Sequence, residues 1–149
     1  MFFRSRSKVE QAVKDFLQRS GLAERVYTEE EFIEGLRTAG YDIVCEAFTH
    51  TGTLRACLMR IEDTTVLFYP RVPDFFATLH NLAHEVGHLV LGHPLSEIEE
   101  AVGENVFSNP LEWEAELFAR LVIEHRARIQ ETAEKGPRAL DNYLRRLNG

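Results

Sequence analysis

Residues 41–93 read YDIVCEAFTHTGTLRACLMRIEDTTVLFYPRVPDFFATLHNLAHEVGHLVLGH, and their hydrophobic period changes once. Up to Tyr69, three segments rich in β-branched and aromatic residues (41–48, 53–61 and 64–69) are parted by short breaks at Thr51-Gly52 and Glu62-Asp63, which predicts a three-stranded meander. After Pro70 and Pro73 the spacing turns helical. Asp74 stands where an N-cap belongs, and the helix runs to about Leu91, where Gly92 and Pro94 end it. A small sheet with helices before and after it in the chain predicts the α+β class.

The flanks support the same class. Upstream, Val9, Val13, Phe16 and Leu17 fall on one helical stripe with Gly21 at the C-cap position. A second helix begins with Thr28 and Glu31 in capping-box register, turns Phe32, Ile33 and Leu36 inward, and stops at Gly40. Downstream, Asn109-Pro110 supplies an N-cap and a first-turn proline for a long helix to about residue 131, and Gly136-Pro137 starts a last short one over 137–147. The 149 residues therefore make one domain: N-terminal helices in 1–40, a sheet in 41–70, two helices in 74–131 and a C-terminal helix, about five helices on three strands.

Composition narrows the function classes. Seventeen Lys and Arg against 24 Asp and Glu give a net charge of −7, the wrong sign for a direct nucleic-acid binder. The excess is local: residues 81–116 carry Glu85, Glu97, Glu99, Glu100, Glu104, Glu112, Glu114 and Glu116 with no Lys or Arg. Part of it, SEIEE at 96–100, reads as a solvated face. No apolar run has the length of a membrane span or signal peptide, and Cys45 and Cys57 lack a CxxC partner, so they read as buried core residues in a cytoplasmic protein.

The chemistry is carried by His84-Glu85-Val86-Gly87-His88. Two histidines one helical turn apart can converge on one metal ion while the glutamate between them handles a water molecule. His80, Asn81, His84, Glu85 and His88 share one side of the helix, and Phe75, Leu79, Leu82, Val86, Leu89 and Val90 share the other. A catalytic zinc site takes three protein ligands. His93 is out of register for the HExxHxxGxxH pattern, in which Pro94 would occupy the ligand position. On the following helix Leu111, Ala115, Phe118, Leu121 and Val122 form the apolar arc; Glu114 points into it, whereas Glu112, Glu116 and Glu124 project away. A carboxylate buried without a cation on its own face needs a positive partner, so Glu114 is the expected third metal ligand, with Glu112 in reserve. His125 reads as a hydrogen-bonded core histidine.

AHEVGHLVLGH (83–93) followed by EAELFA (114–119) resembles the ImmA/IrrE-type metallopeptidases, a gluzincin-like family. The resemblance implies a minimal zincin-like fold, metal ligands His84, His88 and Glu114, and Glu85 as catalytic base. The chain departs from that family at Glu116, where Asn is common, and in running on without proline after Phe118-Ala119. The expected function is thus a Zn2+-dependent endopeptidase, with Mn2+ as another fitting divalent ion. Its substrate would be a protein, and the family suggests a helix-turn-helix repressor. His80, Tyr69 and Arg71 are candidates to stabilise the oxyanion, and TTVLFY is the expected edge for an extended substrate. The alternative is a metal-binding adaptor or toxin–antitoxin component that binds a partner without hydrolysing it.

Overall fold

The computed structural model describes residues 4–49, 56–95 and 109–148, with the backbone alone over 135–144 and 146–148. Within them the elements run α1 (Arg6–Ser20), α2 (Glu29–Thr38), β1 (Ile43–Thr49), β2 (Cys57–Ile61), β3 (Thr64–Arg71), α3 (Phe75–Val90) and α4 (Pro110–Asn148). The class is α+β. No described helix is long and apolar enough to cross a membrane.

Local signals set the helix starts. Ser5 caps α1, and Gly21 ends it in the left-handed region (φ 77°), a conformation that costs a side-chain-bearing residue steric strain. Thr28 and Glu31 form the reciprocal capping box of α2. Asp74 accepts from the Phe76 N–H, and Asn109 Oδ1 accepts from the Leu111 and Glu112 N–H groups at the head of α4. The core joins Val9, Val13, Phe16 and Leu17 of α1 to Phe32 and Leu36 of α2, Leu82 and Val86 of α3, and Phe118 and Val122 of α4. The inner face of the sheet adds Ile43, Leu58, Leu67 and Tyr69.

The sheet differs from a meander. Its order is β1-β3-β2, with β1 parallel and β2 antiparallel to β3. Strand directions are those a meander would have, but β3 lies between the other two. β1 then sets half-buried Cys45 and Ala47 beside Leu67 and Tyr69 over a seven-residue register. TTVLFY is thus the middle strand, and β1 and β2 are the two edges beside it among the described residues. β2 also starts at Cys57, later than expected; the Thr51-Gly52 break, residues 53–55 and the SEIEE run lie outside the described residues. Neither cysteine is core: Cys45 is half-buried and Cys57 exposed.

The last helix runs unbroken through Gly136-Pro137, where a new start was expected. A mid-helix proline forfeits one hydrogen bond and costs about 3 kcal/mol. The flanking ETAEK and RALDNYLRRL are strong helix formers, enough to carry the backbone across it.

Gly87 lets α3 and α4 meet closely. A Cβ there would stand 3.1 Å from the Ala115 carbonyl oxygen and 3.2 Å from its Cα, both backbone atoms of α4. Gly87→Ala is expected to destabilise the fold by about 1–3 kcal/mol through overpacking. A lowered urea midpoint with unchanged m-value checks it.

Candidate metal centre

α3 is anchored to the sheet at its first turn. The Thr78 hydroxyl accepts from the Val72 N–H and donates to the Val72 carbonyl, both at 3.1 Å. Its apolar side, with Leu79, Leu82 and Val86, is buried, which turns His80, His84 and His88 toward the start of α4. One donor atom from each of His84, Glu85 and His88 lies within 4.8 Å of the other two.

The carboxylate facing both histidines is Glu112, not Glu114. Glu112 Oε2 is 2.8 Å from His84 Nε2, and its Oε1 is 3.1 Å from His88 Nε2. Glu114 is buried, as its helical position predicts, but it points to a different partner. It accepts from the Arg4 guanidinium (2.7 Å) and backbone N–H (3.0 Å), and His93 Nε2 lies 2.9 Å away. The expectation of Glu114 beside His84 and His88 is therefore revised in favour of the reserve, Glu112. The physical reason is that α4 is wedged between two neighbours. Phe118 packs on Phe16 of α1 on one flank (ring centroids 5.9 Å), and Ala115 meets Gly87 of α3 on another. A helix in that position has two sheltered flanks beside its apolar arc, and Glu112 and Glu116 occupy the flank that meets the histidines. The cation Glu114 requires comes from Arg4, far away in sequence.

The remaining ring nitrogens are also engaged. His84 Nδ1 lies 2.9 Å from Glu116 Oε2, and His80 Nε2 is 2.8 Å from the other oxygen of the same carboxylate. His88 Nδ1 is 2.9 Å from His93 Nδ1. Sequence reasoning missed Glu116, His93 and Arg4 as members of this network. A signal for Glu116 was present, because Glu112 and Glu116 repeat at i,i+4 against a His80, His84, His88 stripe of the same spacing. Of the three oxyanion candidates, Tyr69 and Arg71 are bound to Glu29 at 2.6 Å and 2.9 Å, so only His80 belongs to the histidine side. His125 is half-buried, and its Nδ1 is without a hydrogen-bond partner among the described residues.

Charge follows from this geometry. Burial pulls the His84 pKa down, but hydrogen bonds to Glu112 and Glu116 outweigh it and lift it to about 9. Glu112 is held at about 2 against its burial, by His84 and His88. Hydrogen bonds from His80 and His84 hold Glu116 well below the carboxylate range. Burial would raise Glu114, but Arg4 and His93 keep it low. Glu85 is the exception: burial, helped by Glu112 and opposed by His84, pushes it up to about 7.

Two buried atoms are left without a hydrogen-bond partner at this point, His88 Nε2 and Glu85 Oε2. Glu112 stands 3.1 Å from that nitrogen but out of hydrogen-bond alignment. An orphaned imidazole nitrogen, a second imidazole and a carboxylate between them fit a tetrahedral divalent ion such as zinc, with one position left open. Compared with protein-family models, characterised proteins and solved structures, the chain matches none.

Proposed function

We propose that the chain is a zinc-dependent endopeptidase of the ImmA/IrrE-like kind, with His84, His88 and Glu112 as metal ligands and Glu85 as general base. The observation that supports it most is Glu85. A carboxylate beside the two ligand histidines, buried, with one oxygen lacking a hydrogen-bond partner among the described residues and its pKa raised to about 7, suits proton transfer and has no use in a purely structural zinc site. Zinc bound there would polarise a peptide carbonyl and lower the pKa of a water molecule toward neutrality. Glu85 takes the proton of the attacking water and returns it to the leaving amine. His80, on the exposed end of the histidine stripe, is the candidate to hydrogen-bond the oxyanion, and would have to do so through Nδ1 or by giving up Glu116, which its Nε2 contacts at 2.8 Å. An extended substrate would add along β2, whose first residue, Cys57, feels the Glu85 charge. The substrate class suggested is a cytoplasmic DNA-binding repressor.

Four of the eight acids in 81–116 belong to this network: Glu85, Glu112, Glu114 and Glu116. The other four, Glu97, Glu99, Glu100 and Glu104, lie outside the described residues. The test is co-expression with a neighbouring helix-turn-helix protein. Cleavage that stops on chelation and returns with zinc supports the reading; stable co-purification without cleavage would replace it with the non-hydrolytic adaptor.

Metal uptake should depend on pH. In the metal-free protein His84 keeps its proton up to about pH 9, and a ligand nitrogen must lose it. Zinc affinity is therefore expected to rise about tenfold per pH unit toward pH 9 and then flatten. Titration calorimetry in buffers of different ionisation enthalpy should show close to one proton released from His84 per zinc at pH 8.

A further inference from the structure

We infer that His93 and Glu114 are positioning residues for His88, fixing its tautomer so that Nε2 presents a lone pair to the metal. The inference rests on the zinc reading above and concerns residues that touch neither metal nor substrate. The relay is buried: His88 is fully enclosed, His93 is 7% exposed and Glu114 1%.

Its proton order follows from the contacts. Glu114 already accepts twice from Arg4, through the guanidinium at 2.7 Å and the backbone N–H at 3.0 Å, so it is an acceptor toward His93 as well. The hydrogen on the His93 side of that 2.9 Å contact must then sit on His93 Nε2. A neutral His93 consequently has a bare Nδ1, and across the 2.9 Å Nδ1–Nδ1 contact the donor is His88. With its hydrogen on Nδ1, a neutral His88 has an unprotonated Nε2. That nitrogen is buried, has no hydrogen-bond partner and faces Glu112. His84 is oriented more directly, by Glu116 at its Nδ1, and presents its Nε2 once that nitrogen gives up its proton to metal binding. The two ligand histidines are thus oriented from behind by different devices, one by a carboxylate and the other by a second imidazole backed by a carboxylate.

Arg4 ties the far end of the relay to the helix that carries it. Its Nη2 donates to the Leu91 carbonyl at 2.6 Å, so one guanidinium holds both the C-terminal end of α3 and Glu114 of α4. Rotation of Glu114 away from His93 would break that clamp.

The experiment is zinc affinity by chelator competition on the full chain, comparing wild type with His93→Phe and His93→Gln. Phenylalanine keeps a ring but removes both nitrogens; glutamine can accept from His88 and donate to Glu114. His93→Phe should bind zinc about 10- to 100-fold more weakly, the usual effect of removing an outer-shell partner, and His93→Gln should recover most of that loss. A folded His93→Phe that binds zinc within twofold of wild type overturns the relay while leaving the zinc site standing. A wild type that binds no zinc overturns the parent reading instead. Long-range 1H–15N spectra of zinc-loaded wild type give a second measurement that needs no variant. The proton is expected on His88 Nδ1 and His93 Nε2, and a bare Nδ1 on His88 would overturn the inference.

Discussion

Glu85→Gln is expected to lower peptide hydrolysis by roughly 10²–10⁴-fold, the contribution of a positioned general base, while zinc affinity stays within a few fold. Glutamine preserves the size and burial of the side chain but cannot accept the proton of the attacking water. Zinc affinity is spared because the three ligand groups come from other residues. The sign of the pH dependence follows from the same carboxylate. Its pKa in the metal-free protein is about 7, and below its pKa it is protonated and unable to act as base. Activity therefore falls toward acid. A cation beside it favours the ionised form and moves that acid limb down, between the ordinary value of 4.5 and about 7. Rates measured from pH 4 to 9 on wild type and Glu85→Gln check both points, and undiminished turnover in the variant would remove Glu85 from the mechanism.

Glu112→Ala should have the largest effect on the metal itself. Structural zinc sites bind with roughly 10–16 kcal/mol over four ligands, or about 3 kcal/mol each, so losing one ligand costs two orders of magnitude or more in affinity. The metal-free variant should still fold, because Glu112 is a surface-flank residue 16% exposed, outside the core cluster. Added zinc stabilises a protein that binds it only when folded. Wild type should therefore melt higher with zinc, and Glu112→Ala should show no such rise. Glu114→Ala is the control that separates the two glutamates: it removes the partner of Arg4 and His93 but no ligand, so a reduced zinc response remains. The opposite pattern, with the response lost in Glu114→Ala and kept in Glu112→Ala, would reinstate Glu114 as the third ligand.

Much of this molecule is legible in its sequence, for local reasons. Thr28 with Glu31, Asp74 and Asn109-Pro110 each act within one turn of the helix they start, and the His84-Glu85-His88 grouping is fixed by helical spacing alone. What escaped was non-local. Strand order depends on which neighbour best covers Ile43, Cys45 and Ala47, and alternation within a strand is the same for either neighbour. The choice between Glu112 and Glu114 turned on which neighbour meets each flank of α4. A single helical projection has one inside, whereas this helix lies against α1 on one side and α3 on another. Burial of Glu114 was readable, and so was its need for a cation; the identity of that cation was not, because Arg4 precedes it by 110 residues. Pro137 misled because it marks a cost to a helix, which a long run of good helix formers can absorb.

The Arg4 clamp also bears on how the molecule assembles. α3 carries two of the proposed ligands and begins α4's docking surface, so their approach closes a modest loop, whereas Arg4 must return across 87 residues to Leu91 and 110 to Glu114. Loop-closure entropy grows with that separation, and contacts of high sequence separation are slow to form. The histidines can thus be brought together in a partly folded chain before the residues behind His88 are locked. The Arg4 clamp is the least local contact of the centre, and the opening residues of the described chain, remote from the motif that reveals the site, complete it.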